Sequence, residues 1–341
     1  MSLLEWLDAS PFLEAALTSL LLVIVALLAV SVSVLPKEGP RRLGRSRWLF
    51  AFFVVLAIFA ARWPSTLSYL ELNPEESQMT AQAITIRHYP IPWKSYDTTT
   101  SGPLNSAVLV IPALFGKSID FVSTRLVAIA LILGTLAFLF AVTRTLYGEL
   151  AARLGLLLPL SFFCCVRSPD FADYTSEMLP MFLLAAAAYG LVRFGMVEPR
   201  GIAFTGFALG CVPFANLQST LLGFALFVVA LGLIAGHEDL APSHRFRCVV
   251  SLIAGICCVP VFILTLVTLS AAFQDFYVSY IQFPLFSLRW SCCKTAGLRL
   301  FAGEPFSHAF LVATIILVVM SGAVVLMLGR KEARKPVIWL P

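Results

Sequence analysis

Apolar residues run along this chain in long blocks, without the strict alternation of a half-buried strand. A helix that crosses a bilayer needs about 20 mostly apolar residues. Nine blocks approach that length: Leu13–Leu35, Trp48–Leu67, Ser123–Thr143, Ala151–Val166, Met178–Phe194, Gly201–Leu217, Ser219–Gly236, Cys248–Leu269 and His308–Leu328. The third, fourth and eighth are the clearest. The sixth and seventh are short and almost continuous. The pattern predicts an all-α, polytopic transmembrane helix bundle of about nine spans. The first block opens with acids, Glu5 and Asp8 before it and Glu14 at its start, instead of a basic segment, so it reads as a span and not as a cleaved signal.

Lys and Arg in short loops set the orientation of such a bundle. Loop 36–47 carries Lys37, Arg41, Arg42, Arg45 and Arg47. Arg144 and Arg153, Arg193 and Arg200, Arg245 and Arg247, and the tail with Arg330, Lys331, Arg334 and Lys335 fall on the same side. That side is read as cytoplasmic, with the N-terminus outside and the C-terminus inside. Three outer segments remain: 68–122, 167–177 and 270–307. The chain is then expected to divide into an N-terminal span with its basic loop (1–47), a membrane core with the outer loops (48–307), and a last span with a basic tail (308–341).

Composition narrows the class. Hydrophobic residues make up 59% and charged residues 13% of the 341, where soluble domains carry about 45–50% and about 25%. A cytosolic enzyme, a disordered chain and a nucleic-acid binder are excluded. The net charge of +5 follows from basic cytoplasmic loops and implies no polyanionic partner. There is no phosphate-binding glycine loop, and none of the four histidines has metal-site spacing. Membrane lipids are the partners this composition requires.

The scarce charge on the outer side carries the chemistry. Arg62, Arg87, Lys94, Lys117, Arg125, Arg167, Arg289, Lys294 and Arg299 lie there or at outer span ends. They read either as anchors that snorkel to the headgroups or as a site for a lipid phosphate. Asn73-Pro74-Glu75-Glu76 opens a short helix through about Ile86, with Asn73 as N-cap, Pro74 in the first helical position and Glu76 at N3 of a capping box. Met79, Ala83 and Ile86 would face the membrane or the bundle. Glu75 has no capping duty, so it is the stronger candidate for a proton, a metal or a cationic group. Beyond it, Tyr89 to Asp97 is rich in Pro and aromatic residues, where Trp93 and Tyr96 suit a sugar face or the interface. Residues 104–116 are apolar but short, and predict a helix lying at the interface. The second loop holds Asp170, Asp173 and Glu177 beside Arg167. Charges at this depth usually face a cavity or a partner. Asn216 and Gln218 end the sixth block and offer amides to a sugar or to a neighbouring helix.

Together these loops resemble the integral-membrane GT-C glycosyltransferases of the protein-mannosyltransferase and aminoarabinose-transferase type. The resemblance rests on Asn73-Pro74-Glu75-Glu76 after the first family span, where the family usually has Asp-Glu. It rests also on Ser101-Gly102-Pro103-Leu104, on Leu114-Phe115-Gly116 with Arg125-Leu126 and Leu146-Tyr147-Gly148, and on Asp170 to Glu177. It spans roughly residues 48–285. It implies a polyprenyl-phosphate sugar donor, an acceptor at the outer face of a bacterial cytoplasmic membrane, and inverting transfer with a carboxylate base. Glu75 takes the catalytic position and Glu76 its neighbour. Arg87, Lys94, Tyr96, Asp97, Asn105, Arg167 and Gln218 are the substrate and phosphate set. Asp170, Asp173 and Glu177 match the acids of the second loop. Whether a divalent metal (Mg2+ or Mn2+) takes part is left open, with Glu75 and Asp173 as its candidate ligands. The leading block and the chain end at Val337-Ile338-Trp339-Leu340-Pro341 allow a compact, a shortened or an inactive relative. The competing classes are a non-catalytic membrane scaffold and a lipid-linked saccharide flippase.

Overall fold

The computed structural model describes residues 11–34, 40–68, 70–71, 73–98, 101–166, 173–194, 198–236 and 240–284. Among them every regular element is helical: α1 (Pro11–Val34), α2 (Pro40–Leu67), α3 (Pro74–Ile86), α4 (Pro103–Val108), α5 (Ile111–Leu114), α6 (Phe121–Cys165), α7 (Met178–Arg193), α8 (Pro199–Ala215), α9 (Thr220–Ala235), α10 (Pro242–Leu269) and α11 (Phe273–Phe276), followed by a π-helical turn at Tyr277–Gln282. Helices suit a chain this apolar, because each satisfies its own backbone groups without water. Four of them are long and apolar enough to cross a membrane: α1, α2, α6 and α10. The blocks read from the sequence at 13–269 all fall on helices. The last block, His308–Leu328, lies outside the described residues.

The third and fourth blocks are continuous in α6, which has 45 residues and is interrupted at Gly148 (φ 86°, ψ 178°). That backbone conformation belongs almost only to glycine, so Leu146-Tyr147-Gly148 is a true break. The sixth and seventh blocks are two helices. Asn216 leaves the helix (φ −159°), and its side-chain oxygen accepts from the amides of Gln218 at 2.8 Å and Ser219 at 3.3 Å.

The chain forms two compact units. Unit 1 contains α1, residues 40–64 of α2 and residues 146–165 of α6. Its buried positions follow helical spacing, with Leu21, Val25 and Ala29 on α1, Phe50, Val54, Ala57 and Ile58 on α2, and Leu156, Leu160 and Phe163 on α6.

Unit 2 contains residues 65–145 and the described part of 168–303. Here α8 and α10 approach through glycine. A Cβ at Gly206 or Gly210 would overlap α10 backbone, and one at Gly255 would overlap α8 backbone. Small residues spaced by four let membrane helices pack backbone to backbone. The segment 104–116, expected as one helix, falls on two short helices, α4 and α5. Its Leu114 and Phe115 are exposed while Leu109 is fully buried.

Candidate functional site

α3 begins as its sequence requires. Asn73 is extended (φ −141°, ψ 129°), and its Oδ1 accepts from the Glu75 amide at 2.9 Å, with Pro74 in the first turn. The buried face of α3 carries Glu76, Met79, Thr80, Gln82 and Ala83. Met79 and Ala83 were expected there. The carboxylate of Glu76 is fully buried and belongs to an ion pair: Arg125 of α6 donates from Nε to Oε1 at 2.9 Å and from Nη2 to Oε2 at 2.7 Å.

Arg125 is itself almost wholly buried. Nη1 donates to the carbonyls of Ser65 (2.7 Å) and Ser68 (2.5 Å), and Nη2 also to that of Leu70 (2.8 Å). All five guanidinium hydrogens thus have acceptors. The buried carboxylate of Asp173 stands 3.5 Å from Nε. An acid of α3 and an acid of the second loop therefore meet one base, and that base ties down the chain entering α3.

The acidic pair is divided by this arrangement. Glu76 is committed to Arg125. Glu75, one residue earlier, is only partly buried, and its charge reaches Tyr174. Burial first, and the Glu75 charge second, hold the Tyr174 phenol well above its ordinary 10. The Tyr174 hydroxyl donates toward the carbonyl of Asn105 at 2.9 Å, with Asn105 Oδ1 at 3.1 Å.

Asn105 joins four segments. Its Nδ2 group reaches the carbonyls of Ser101 (2.9 Å), Ser176 (2.9 Å) and Ala215 (2.5 Å). Just before it, Gly102 adopts φ 69° and ψ 155°. A Cβ there would overlap the Phe214 carbonyl, which explains the glycine in Ser101-Gly102-Pro103-Leu104. Gln82 donates to the Asp97 carbonyl and accepts from the Ser106 hydroxyl. A chain of polar groups thus links α3, the 89–98 loop and α4.

The 89–98 loop is anchored from both sides. Trp93 is buried, holds a left-handed backbone (φ 63°), and packs edge-on to Phe276 (4.8 Å) and against Tyr280 (5.2 Å). Of the two readings of Trp93, anchoring is the one this position fits. Lys94 Nζ donates to the Ser270 carbonyl at 3.0 Å, and Asp97 accepts from the Ser279 hydroxyl at 2.6 Å. Tyr96 is half-buried, and burial pushes its phenol up to about 12.

Of the residues singled out in the sequence, Glu76 and Asp173 are brought together on Arg125. Asn105 is brought to Tyr174, on whose phenol the Glu75 charge acts. Arg87, Lys94, Asp97, Glu177 and Gln218 are exposed. Arg167 and Asp170 lie outside the described residues. Of the two amides at the end of the sixth block, Asn216 is turned to the backbone amides of Gln218 and Ser219.

Tyr174 and Gln82 were not singled out in the sequence, and Arg125 stood there only as one of nine outer bases, not as the partner of Glu76. Two of these had a signal: Arg125 is a base just inside a span, where ionisable groups pair or function, and Tyr174 lies in the acidic second loop. Of the two candidate metal ligands, Glu75 and Asp173, Asp173 fits poorly, because the Arg125 guanidinium 3.5 Å away opposes a second cation. Glu76, next to Glu75, has both oxygens engaged by Arg125. Among the described residues no three His, Cys, Asp or Glu side chains form a metal-holding group. No family model, no curated protein and no solved structure matches this chain.

Proposed function

We propose that this chain is a GT-C-type glycosyltransferase of about nine spans in a bacterial cytoplasmic membrane. It moves a sugar from a polyprenyl-phosphate donor to an acceptor at the outer face. The observation that carries the reading is the division of labour within Glu75-Glu76. Glu76 is locked to Arg125, while Glu75 stands partly exposed at the positive end of α3. The helix terminus favours the ionised carboxylate there, which a general base requires.

In the reaction, Glu75 takes the proton of an acceptor hydroxyl as that oxygen bonds to the anomeric carbon from the side opposite the phosphate. The bond from that carbon to the phosphate oxygen breaks, and its electron pair leaves with the lipid phosphate. Configuration inverts. Lys94 and Arg87 supply positive charge on the same outer loop for the leaving oxyanion. Arg125, through Glu76, positions the first turn of α3 and hence Glu75.

The test is transfer from lipid-linked sugar by purified protein. Glu75→Gln is expected to abolish turnover while leaving the thermal midpoint within the wild-type range. Full activity in Glu75→Gln rejects the assigned base. Donor binding without any turnover by the wild type makes the chain a non-catalytic relative. Accumulated donor in a deletion strain names the sugar and the carrier.

A further inference from the structure

In unit 1, one carboxylate serves two guanidinium groups. Glu149 Oε1 accepts from Arg153 Nε (3.0 Å) and Nη2 (2.9 Å), and Oε2 accepts from Arg47 Nε (2.7 Å). Arg153 is fully enclosed. It donates also to the Leu28 carbonyl (3.2 Å) and the Ser46 hydroxyl (3.0 Å), and lies 5.1 Å over the Phe50 ring. Arg47 differs. Its side chain is 39% exposed, and only its Nε has an acceptor among the described residues.

Among the described residues, two guanidinium groups stand against one carboxylate, which leaves one positive charge over. The level of this cluster along the helices is marked by its neighbours. Trp48, next to Arg47, is 80% exposed, and Tyr147, two residues before Glu149, is 75% exposed. Such amphipathic rings sit at the headgroup level of a bilayer. Further along α2, Leu49 and Phe52 are exposed and apolar. The two terminal amino groups of Arg47 therefore stand where lipid phosphates lie, beside a surface suited to acyl chains.

We propose that Arg47, backed by the Arg153–Glu149 pair, binds the phosphate of an anionic phospholipid. A guanidinium offers paired donors that match two phosphate oxygens. The phosphate supplies the missing negative charge, and the acyl chains cover Leu49 and Phe52. Glu149 fixes the angle of the Arg47 fork by holding Nε, so this is a site with geometry and not only a basic surface. The proposal is independent of any sugar transfer.

The experiment places the full chain in nanodiscs of phosphatidylcholine with rising phosphatidylglycerol. Retained lipids are counted by native mass spectrometry, and the thermal midpoint is recorded. The wild type is expected to retain phosphatidylglycerol and to gain in midpoint. Arg47→Gln should weaken phosphatidylglycerol retention about five-fold. Arg47→Lys, which keeps the charge but loses the fork, should fall between. Arg144→Gln, at an exposed base close in sequence to Glu149, should match the wild type. Lipid counting reads affinity even where a variant shifts the midpoint in pure phosphatidylcholine. Equal losses in Arg47→Gln and Arg144→Gln would reduce the effect to diffuse surface charge and overturn the proposal. So would an absence of preference over phosphatidylcholine, or a full midpoint gain from inorganic phosphate alone.

Discussion

Arg125 and Glu76, 49 residues apart in sequence, form a buried two-point ion pair at 2.9 and 2.7 Å, with Asp173 3.5 Å from the same guanidinium. The two ends of this pair are not equivalent. Removing the base leaves two buried acids facing each other and takes the donors from three carbonyls. Removing Glu76 leaves Arg125 still beside Asp173. Arg125→Met is therefore expected to cost about 3–5 kcal/mol of stability, and Glu76→Gln about 1–3 kcal/mol. The double variant should cost less than the sum of the two. Thermal or denaturant unfolding of the four proteins measures the cycle, and strict additivity would show that the two groups do not interact.

Asn105 is the second fixed point. Its amide reaches three carbonyls on three segments and its oxygens face the Tyr174 hydroxyl. Asn105→Ala orphans these buried groups together. A loss of about 2–4 kcal/mol is expected, with Asn105→Asp no better, because a carboxylate cannot donate to carbonyls. Under the sugar transfer proposed above, the same loss should lower turnover, since the Glu75 charge acts on Tyr174. A variant with an unchanged midpoint would mean that water replaces the amide.

How much of this was legible differs by kind of feature. The helices were, because an apolar block in lipid has no other way to satisfy its backbone. The α3 start was legible as well, since Asn73-Pro74 fixes it locally. The role of Glu76 was not. Spacing made it a capping residue, and its partner is supplied by α6, which no local pattern announces. Asn105 was named as a substrate residue, but the three carbonyls its amide reaches are brought together only by packing. The break at Gly148 and the extended Asn216 were visible as composition and not as geometry. The pairing of α8 with α10 was there to be read in Gly206-xxx-Gly210, once the partner glycine, Gly255, is known.

Gly102 is the sharpest backbone constraint. At φ 69° and ψ 155° it occupies a region essentially closed to other residues, at a cost of about 1–3 kcal/mol for the dihedrals alone. The overlap of a Cβ with the Phe214 carbonyl adds to that. Gly102→Ala is expected to lower the thermal midpoint more than Gly232→Ala, where a Cβ meets open space. Equal shifts would mean that the 101–103 segment moves freely away from α8.

Tyr96 sets an alkaline limit. Its phenol titrates near 12 in the folded protein against about 10 in the unfolded chain, because burial disfavours the phenolate. Between those values the unfolded chain has lost the proton and the folded one has kept it. Raising the pH in that window therefore favours unfolding. The contribution of Tyr96 is complete below pH 10 and is lost as the pH rises through 12. It amounts to about 1 kcal/mol, discounted because solvent screens a half-buried group. Tyr96→Phe should remove this part of the alkaline decline without changing stability at neutral pH by as much. Tyrosinate absorbance followed alongside unfolding tests it: a phenol titrating at 10 in the folded protein would place Tyr96 in open water.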